Sequence, residues 1–244
     1  MTMATDRHLS TEAETVAAPP VPGAGRFALR LASASPRRRE LLALLGLPLR
    51  LAPAAIDERP RPDESAEALV RRLAAAKARE AAAGTRDELV IGADTVVEHA
   101  GRLLGKPADD AEAAGMLAAL AGNTHRVLSA VAVLDPQRGR ERVEACETEV
   151  PMRAYGLDEI AAYVASGSPL DKAGAYGIQD RGFDPVDVER LRGCFANVMG
   201  LPLCHLTRAL RALGQDPPAD VARACQQALD YTCPVYTEIL EGRV

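Results

Sequence analysis

Leu89-Val-Ile-Gly-Ala-Asp-Thr-Val-Val97 is an apolar run broken only by Asp94 and Thr95 near its end. Continuous apolar strands of this kind belong to sheets covered on both faces. The run therefore points to an α/β fold and sets a carboxylate at the end of a buried strand. Just beyond it, His99-Ala-Gly-Arg102 reads as a hairpin turn. Upstream, Ser65 caps a predicted long helix running to about Ala83 and closed by Gly84. Further upstream, Phe27–Ala32 reads as a short strand leading into Ser33-Ala-Ser-Pro-Arg-Arg-Arg-Glu40. There Ser35 is a good N-cap, and Pro36 sits at the first helical position, where its missing N–H costs nothing. That helix continues through Leu41, Leu42, Leu44 and Leu45 to Gly46, and Leu47, Leu49 and Leu51 alternate as a second strand.

Downstream, a helix is predicted from about Asp110 to Leu120, ended by Gly122. Strands near Thr124–Leu134 and Arg140–Val150 flank the turn Asp135-Pro-Gln-Arg-Gly139. A helix near Leu157–Val164, a glycine-rich loop from Ser166 to Gln179, and a core helix after Leu201-Pro202 complete the core. The order is mixed α/β without strict βαβ repetition or internal repeats. Residues 1–25 are polar and aperiodic and read as a disordered extension, residues 26–213 as the folded domain, and residues 214–244 as a C-terminal extension. The last holds an amphipathic stretch, Val221–Leu229, suited to packing on the core or on a partner.

Composition excludes several classes. Hydrophobic residues make up 48% of the 244, enough for a sizeable core. The net charge of -5, with acids and bases well mixed, disfavours binding to duplex nucleic acid. Cys146, Cys194, Cys204, Cys225 and Cys233 form no CxxC, which argues against a zinc knuckle and suits a reducing compartment. With no secretory h-region and no stretch near the roughly 18 apolar residues of a membrane span, a soluble, cytoplasmic protein is expected.

Chemistry concentrates in a few segments. The turn into the Ser35-Pro36-Arg37-Arg38 helix start offers free N–H groups, a positive dipole end and two guanidinium forks, a natural anion site. An ordinary capped helix with surface arginines is the alternative. Asp94 suits metal binding or general-base work, or else the capping of a turn at a strand end. An aspartyl-phosphate enzyme would want a second acid two residues on, where Val96 stands. Lys77 and Lys106 read as phosphate ligands or as solvated charges. In Asp171-Lys172-Ala-Gly-Ala-Tyr-Gly-Ile-Gln179 the glycines permit close backbone approach and Gln179 offers a base-pairing amide, unless the segment is a structural turn. His99 and His125 have no partner at metal-ligand spacing. Taken together these are the parts needed to hydrolyse a nucleotide, where positioning and charge neutralisation carry most of the catalysis.

In order, the motifs closely resemble the Maf family. The S-x-S-P-R-R-x-E-L-L pattern falls at Ser33–Leu42 and the acidic dipeptide at Asp57-Glu58. K-A falls at Lys77-Ala78, G-A-D-T-V-V at Gly92–Val97, and G-K-P at Gly105–Pro107. G-x-x-H-x-V is Gly122–Val127, D-K-A-G-A-Y-G-I-Q is Asp171–Gln179, and N-V-x-G-L-P is Asn197–Pro202. The resemblance spans about residues 27–213. It implies a fold like that of inosine triphosphate pyrophosphatases, an extended mixed sheet flanked by helices with a cleft between two lobes. It also implies hydrolysis of a nucleoside triphosphate to monophosphate and pyrophosphate with a divalent cation, magnesium or alternatively manganese, and a homodimer. Asp94 would be general base or metal ligand and Glu58 a metal-side carboxylate. Ser35, Arg37, Arg38, Lys77, Lys106 and Lys172 would meet the substrate. Arg37, Thr95 and Gln179 match the subgroup acting on dTTP and UTP rather than that preferring 7-methyl-GTP. A nucleotide-binding regulator of cell division without turnover is the remaining alternative. Residues Asp180–Arg192, charged and irregular where the family often has a hairpin, are expected to cover the site.

Overall fold

In the computed structural model, residues 15–16 and 27–243 are described. Most of the 1–25 extension lies outside them. Its described pair, Thr15–Val16 (β1), lies antiparallel to Leu49–Arg50. The strands that follow are β2 (Ala28–Leu31), β3 (Leu49–Leu51), β4 (Glu88–His99), β5 (Arg102–Leu104), β6 (Thr124–Asp135) and β7 (Arg140–Pro151). They form one seven-stranded mixed sheet in the order β1-β3-β2-β4-β6-β7, with β5 also on β4. β2 runs parallel to both β3 and β4, whereas the β4-β6-β7 portion is antiparallel.

Helices cover both faces, as the apolar character of β4 requires. Helix α1 (Pro36–Ala43) links β2 to β3 and α2 (Ala66–Ala81) links β3 to β4. α1 sinks Leu41 and Leu42 into the larger core, contributing about 2 kcal/mol per leucine removed from water. Helices α3 (Asp110–Leu120), α4 (Leu157–Ala165), α5 (Phe195–Val198) and α6 (Leu203–Ala212) share that face. On the opposite face α2 packs Ala66, Val70, Ala74 and Ala78 against Val90 and Val96. Gly92 allows this closeness, since a Cβ there would stand 2.0 Å from the Ala74 carbonyl oxygen.

Because the crossovers β2-α1-β3 and β3-α2-β4 run over opposite faces of the sheet, the carboxyl end of β2 beside β4 is a topological switch point, where open α/β sheets place their ligands. The strand pairing sharpens the location. β2 pairs with β4 as far as Ile91, extended by the Ala32 N–H to the Ile91 carbonyl, and β5 takes up the same edge only at Val97. Between these points β4 keeps β6 on its far edge and, among the described residues, has no strand on the near one.

The tight β4–β5 turn uses Ala100 and Gly101 in the left-handed region, with φ of 50° and 73°. The C-terminal extension docks on the core. Helices α7 (Val221–Leu229) and α8 (Tyr236–Leu240) close over α6, burying Ala222 and Ile239 beside Cys204. Tyr231 donates its hydroxyl to the carbonyls of Leu191 and Gly193. All five cysteines are free thiols. Among the described residues no helix is long and apolar enough to cross a membrane.

Candidate active site

A cavity of about 820 Å³ opens at the gap beside β4. Its walls include every candidate residue: Ser35, Arg37, Arg38, Glu58, Lys77, Asp94, Thr95, Lys106, Lys172 and Gln179. Separate segments supply them because the β2 carboxyl end, the α2 midpoint, β4 and the glycine-rich loop all meet there.

Asp94 lies within β4 rather than at its end, so it caps no turn. The strand runs on five residues, through Val96 and Val97, to His99. Lys77 lies close by because α2 sits low over Gly92. Its Nζ is 2.7 Å from Asp94 Oδ1 and 2.7 Å from Glu58 Oε1. The lysine side chain is 9% exposed, as is that of Asp94, while Glu58 is 56% exposed. Lys77 is thus a buried bridge between two carboxylates, not a solvated charge. Burial raises the Asp94 carboxyl above the usual range, against the pull of Lys77 and Arg38, and Glu58 adds to the rise. A carboxylate so placed is suited to take up a proton.

Ser35 caps α1 as expected, its hydroxyl accepting from the Arg38 N–H at 3.5 Å. The Ser35 N–H is itself taken by Ser33 Oγ, so that donor is not free for an anion. The neighbouring arginines have different surroundings. Arg37 reaches across the cavity mouth to Asp171 Oδ2 at 2.8 Å. Arg38 turns inward and donates to the carbonyls of Gly200 (2.9 Å) and Ala93 (3.0 Å), to Thr95 Oγ1 (3.1 Å) and to Ser33 Oγ (3.3 Å). The Ala93 carbonyl lies on the strandless edge of β4, two residues beyond the Ile91 carbonyl that Ala32 satisfies. Arg38 therefore replaces a missing strand. Lys106 is exposed on the rim and has no ion pair among the described residues.

Thr95 is held by Ser129 Oγ at 2.8 Å, and Ser129 donates to the carbonyl of Asn197. Asn197, fully buried, ties the Asn197–Pro202 loop to Val127 and Thr148. Lys172 bonds Ser168 and Asp171, and Gln179 donates its amide to Asp180 Oδ1 at 2.7 Å. Asp180, Ser129 and Asn197 are site-supporting residues that sequence reasoning did not single out as such. Adjacency to Gln179 could have flagged the first, and the N-V-x-G-L-P motif the last. His125 is buried and bonded to Tyr176 through Nε2 at 2.8 Å, a structural role.

The expected cover does not form. The cavity wall passes from Gln179 directly to Val198. The segment between turns Phe183, Val186 and Leu191 into the core, with Phe183 stacked on Tyr163. Apolar residues hidden among its charges dock it on the core, and Val186 forms an isolated bridge with Met152, just past the end of β7.

Comparison with known proteins agrees with this arrangement. The family model described as "Maf-like protein" matches residues 28–213. A protein of Moorella thermoacetica named dTTP/UTP pyrophosphatase is 53% identical over 188 residues, covering 77% of this chain and 96% of the relative. Proteins of the same name from Thermomicrobium roseum and Dehalococcoides mccartyi are 49% and 42% identical, covering 76% and 77% of this chain and 84% and 83% of the relatives. The family match spans every segment that builds the cavity, and the chain belongs to the Maf family.

Proposed function

We propose that this chain hydrolyses dTTP and UTP to the monophosphate and pyrophosphate, clearing surplus or noncanonical nucleotides. One observation carries the reading: a buried carboxylate, Asp94, shares a cavity with a helix N-terminus and with Arg37, Lys77 and Lys106. Asp94 accepts the proton of a water that attacks the α-phosphorus, and the bond from that phosphorus to the α–β bridging oxygen breaks. Lys77, Arg37, Lys106 and the positive end of α1 neutralise charge gathering on the leaving pyrophosphate. Arg38 adds its charge to that field while its hydrogen bonds hold the site together.

The donor set fits magnesium or manganese. Glu58 and Asp94 line the same cavity and offer the hard carboxylate oxygens that would hold it. Among the described residues no group of three or more His, Cys, Asp or Glu is arranged for a metal. Magnesium is typically held by one or two carboxylates plus substrate phosphates, so two suffice. Bound there, the cation would supply Lewis-acid stabilisation of phosphoryl oxygens. A homodimer working in the cytoplasm completes the reading. Light scattering on the purified chain tests the dimer.

The activity test is incubation with magnesium and, separately, dTTP, UTP, CTP, GTP and 7-methyl-GTP. Release of dTMP and UMP with pyrophosphate is expected. Turnover of 7-methyl-GTP alone would keep the reaction and overturn the base assignment. Binding without product would identify a non-catalytic nucleotide sensor.

A further inference from the structure

Gln179 can read a pyrimidine edge in two ways, because its amide offers a carbonyl acceptor and an N–H donor that exchange places on rotation. Its surroundings remove that freedom. The Nε2 atom donates to Asp180 Oδ1 at 2.7 Å. A carboxylate only accepts hydrogen bonds, so the nitrogen, not the oxygen, must face it.

Asp180 is itself fixed. Its Oδ2 accepts from the Tyr163 hydroxyl at 2.5 Å and from Ser168 Oγ at 2.7 Å, and lies 3.3 Å from Lys172 Nζ. These bonds occupy one oxygen and leave the other for Gln179. Gly177 closes the pair from the backbone side, since a Cβ there would stand 2.6 Å from both Asp180 Oδ1 and Gln179 Nε2. Gln179 lines the cavity, and its Oε1 accepts no hydrogen bond within the chain among the described residues.

We propose that Asp180 is a positioning residue for base selection, locking the Gln179 amide with its carbonyl presented to the cavity so that uracil and thymine are accepted and cytosine is rejected. The proposal rests on the reading of this site as a pyrimidine triphosphate site. Uracil and thymine carry a hydrogen at N3 flanked by carbonyls, which a presented Gln oxygen accepts while the second Nε2 hydrogen reaches a neighbouring carbonyl. Cytosine carries a lone pair at N3 beside an amino group. For a base held in one place it requires the opposite amide orientation. A site whose polar groups are fixed against one partner discriminates more sharply than one free to rotate.

The test is kcat/KM for UTP and for CTP, with magnesium, in the wild-type chain, Asp180→Asn and Asp180→Glu. Asparagine can offer its own amide nitrogen and release or invert Gln179. The UTP-over-CTP ratio is expected to fall at least tenfold in Asp180→Asn, with CTP turnover rising in absolute terms. Asp180→Glu, which keeps a carboxylate acceptor, is expected to restore part of the ratio. A merely structural role lowers both substrates together and leaves the ratio in place, and that result overturns the proposal. If thermal melting shows that Asp180→Asn does not fold, Asp180→Ala carries the same expectation. A wild-type chain that turns over UTP and CTP equally removes the lock while leaving the hydrolase. One that turns over neither dTTP nor UTP removes the functional reading itself.

Discussion

Lys77 is the most informative residue to perturb. Lys77→Met keeps the length of the side chain and deletes the charge between Asp94 and Glu58. At 2.7 Å the gross attraction to Asp94 is about 6 kcal/mol at an effective dielectric of about 20. Much of that is cancelled by the desolvation of both ions. Removing one partner of a buried pair nevertheless costs about 3–5 kcal/mol, because the other charge is left buried. Arg38 still faces Asp94 electrostatically, and Glu58 is 56% exposed and recovers solvent, so the low end applies. About 3 kcal/mol corresponds to a melting temperature lower by about 6–12 °C for a chain of this size. The loss also has a pH signature. Burial already raises the folded pKa of Asp94, and losing Lys77 raises it further. A carboxyl raised in the folded state favours folding fully below its unfolded pKa of about 3.9, and that stability is lost as pH rises through the folded value. The variant should therefore approach wild-type stability near pH 4–5 and fall away by pH 8. Urea titrations of both proteins across that range measure it. A deficit under about 1 kcal/mol, or one equal at pH 5 and pH 8, would refute Lys77 as the charge partner of a buried carboxylate.

Asp94→Asn should lower kcat for UTP by about 10²–10⁴, the usual contribution of a positioned general base, while calorimetry with a non-hydrolysable UTP analogue still detects binding. Wild-type turnover kept by that variant would remove Asp94 from the chemistry. Gly92→Ala drives a methyl to within 2.0 Å of the Ala74 carbonyl oxygen. It should destabilise the chain by about 1–3 kcal/mol and depress activity by lifting Lys77 off Asp94. Unchanged urea unfolding would show that α2 yields freely there. Burial, with a smaller contribution from His99, lowers the pKa of His125 to about 3. A depressed folded value means that its stability contribution is complete above the unfolded value of about 6.5 and is lost as pH falls toward 3. Replacing it in His125→Phe should flatten the acid limb of the stability profile below pH 6, and an unaltered limb would assign acid lability elsewhere.

Much of this was legible because it is local. Ser35-Pro36, Ser65 and Gly84 mark helix ends by capping chemistry that acts within one turn, and each falls where the structure ends a helix or turns the chain. Helices α5 and α8 escaped notice because their four and five residues are too few to show a period and lack a capping side chain. The C-terminal extension could be read as an amphipathic helix, but its partner could not, since Tyr231 finds acceptors about forty residues away at Leu191 and Gly193. The candidate site residues were found as types but not as pairs. A lysine mid-helix looks solvated until Gly92 is known to admit α2 over the sheet. The charged segment after Gln179 looked like a cover because its three inward apolar side chains are outnumbered by charges. The support for Asp180 comes from Tyr163 and Ser168, which reach it only once the glycine-rich loop has closed.

Arg37 and Arg38 show how one strand end serves both architecture and charge. Side chains on β4 alternate between faces, so Asp94 points to the α2 side with Lys77 and Thr95 to the other, where Ser129 holds it. Both reach one cavity only because β2 stops at Leu31 and leaves the β4 edge open. An open edge leaves backbone carbonyls without partners, and the Ala93 carbonyl among them lies deep in the protein, where an unpaired acceptor is costly. Arg38 answers that need with the planar fork a lysine lacks, joining Ser33 in the turn after β2, β4 and the Gly200 turn through its two terminal nitrogens and Nε. With most of its donors spent inside, Arg38 has little left for a phosphate. Its neighbour Arg37, turned the other way by one helical step, is tied among the described residues to Asp171 alone, which is 55% exposed, and a triphosphate can compete for it. The cavity exists because the sheet is interrupted, and Arg38 is what allows the interruption to persist in a stable fold.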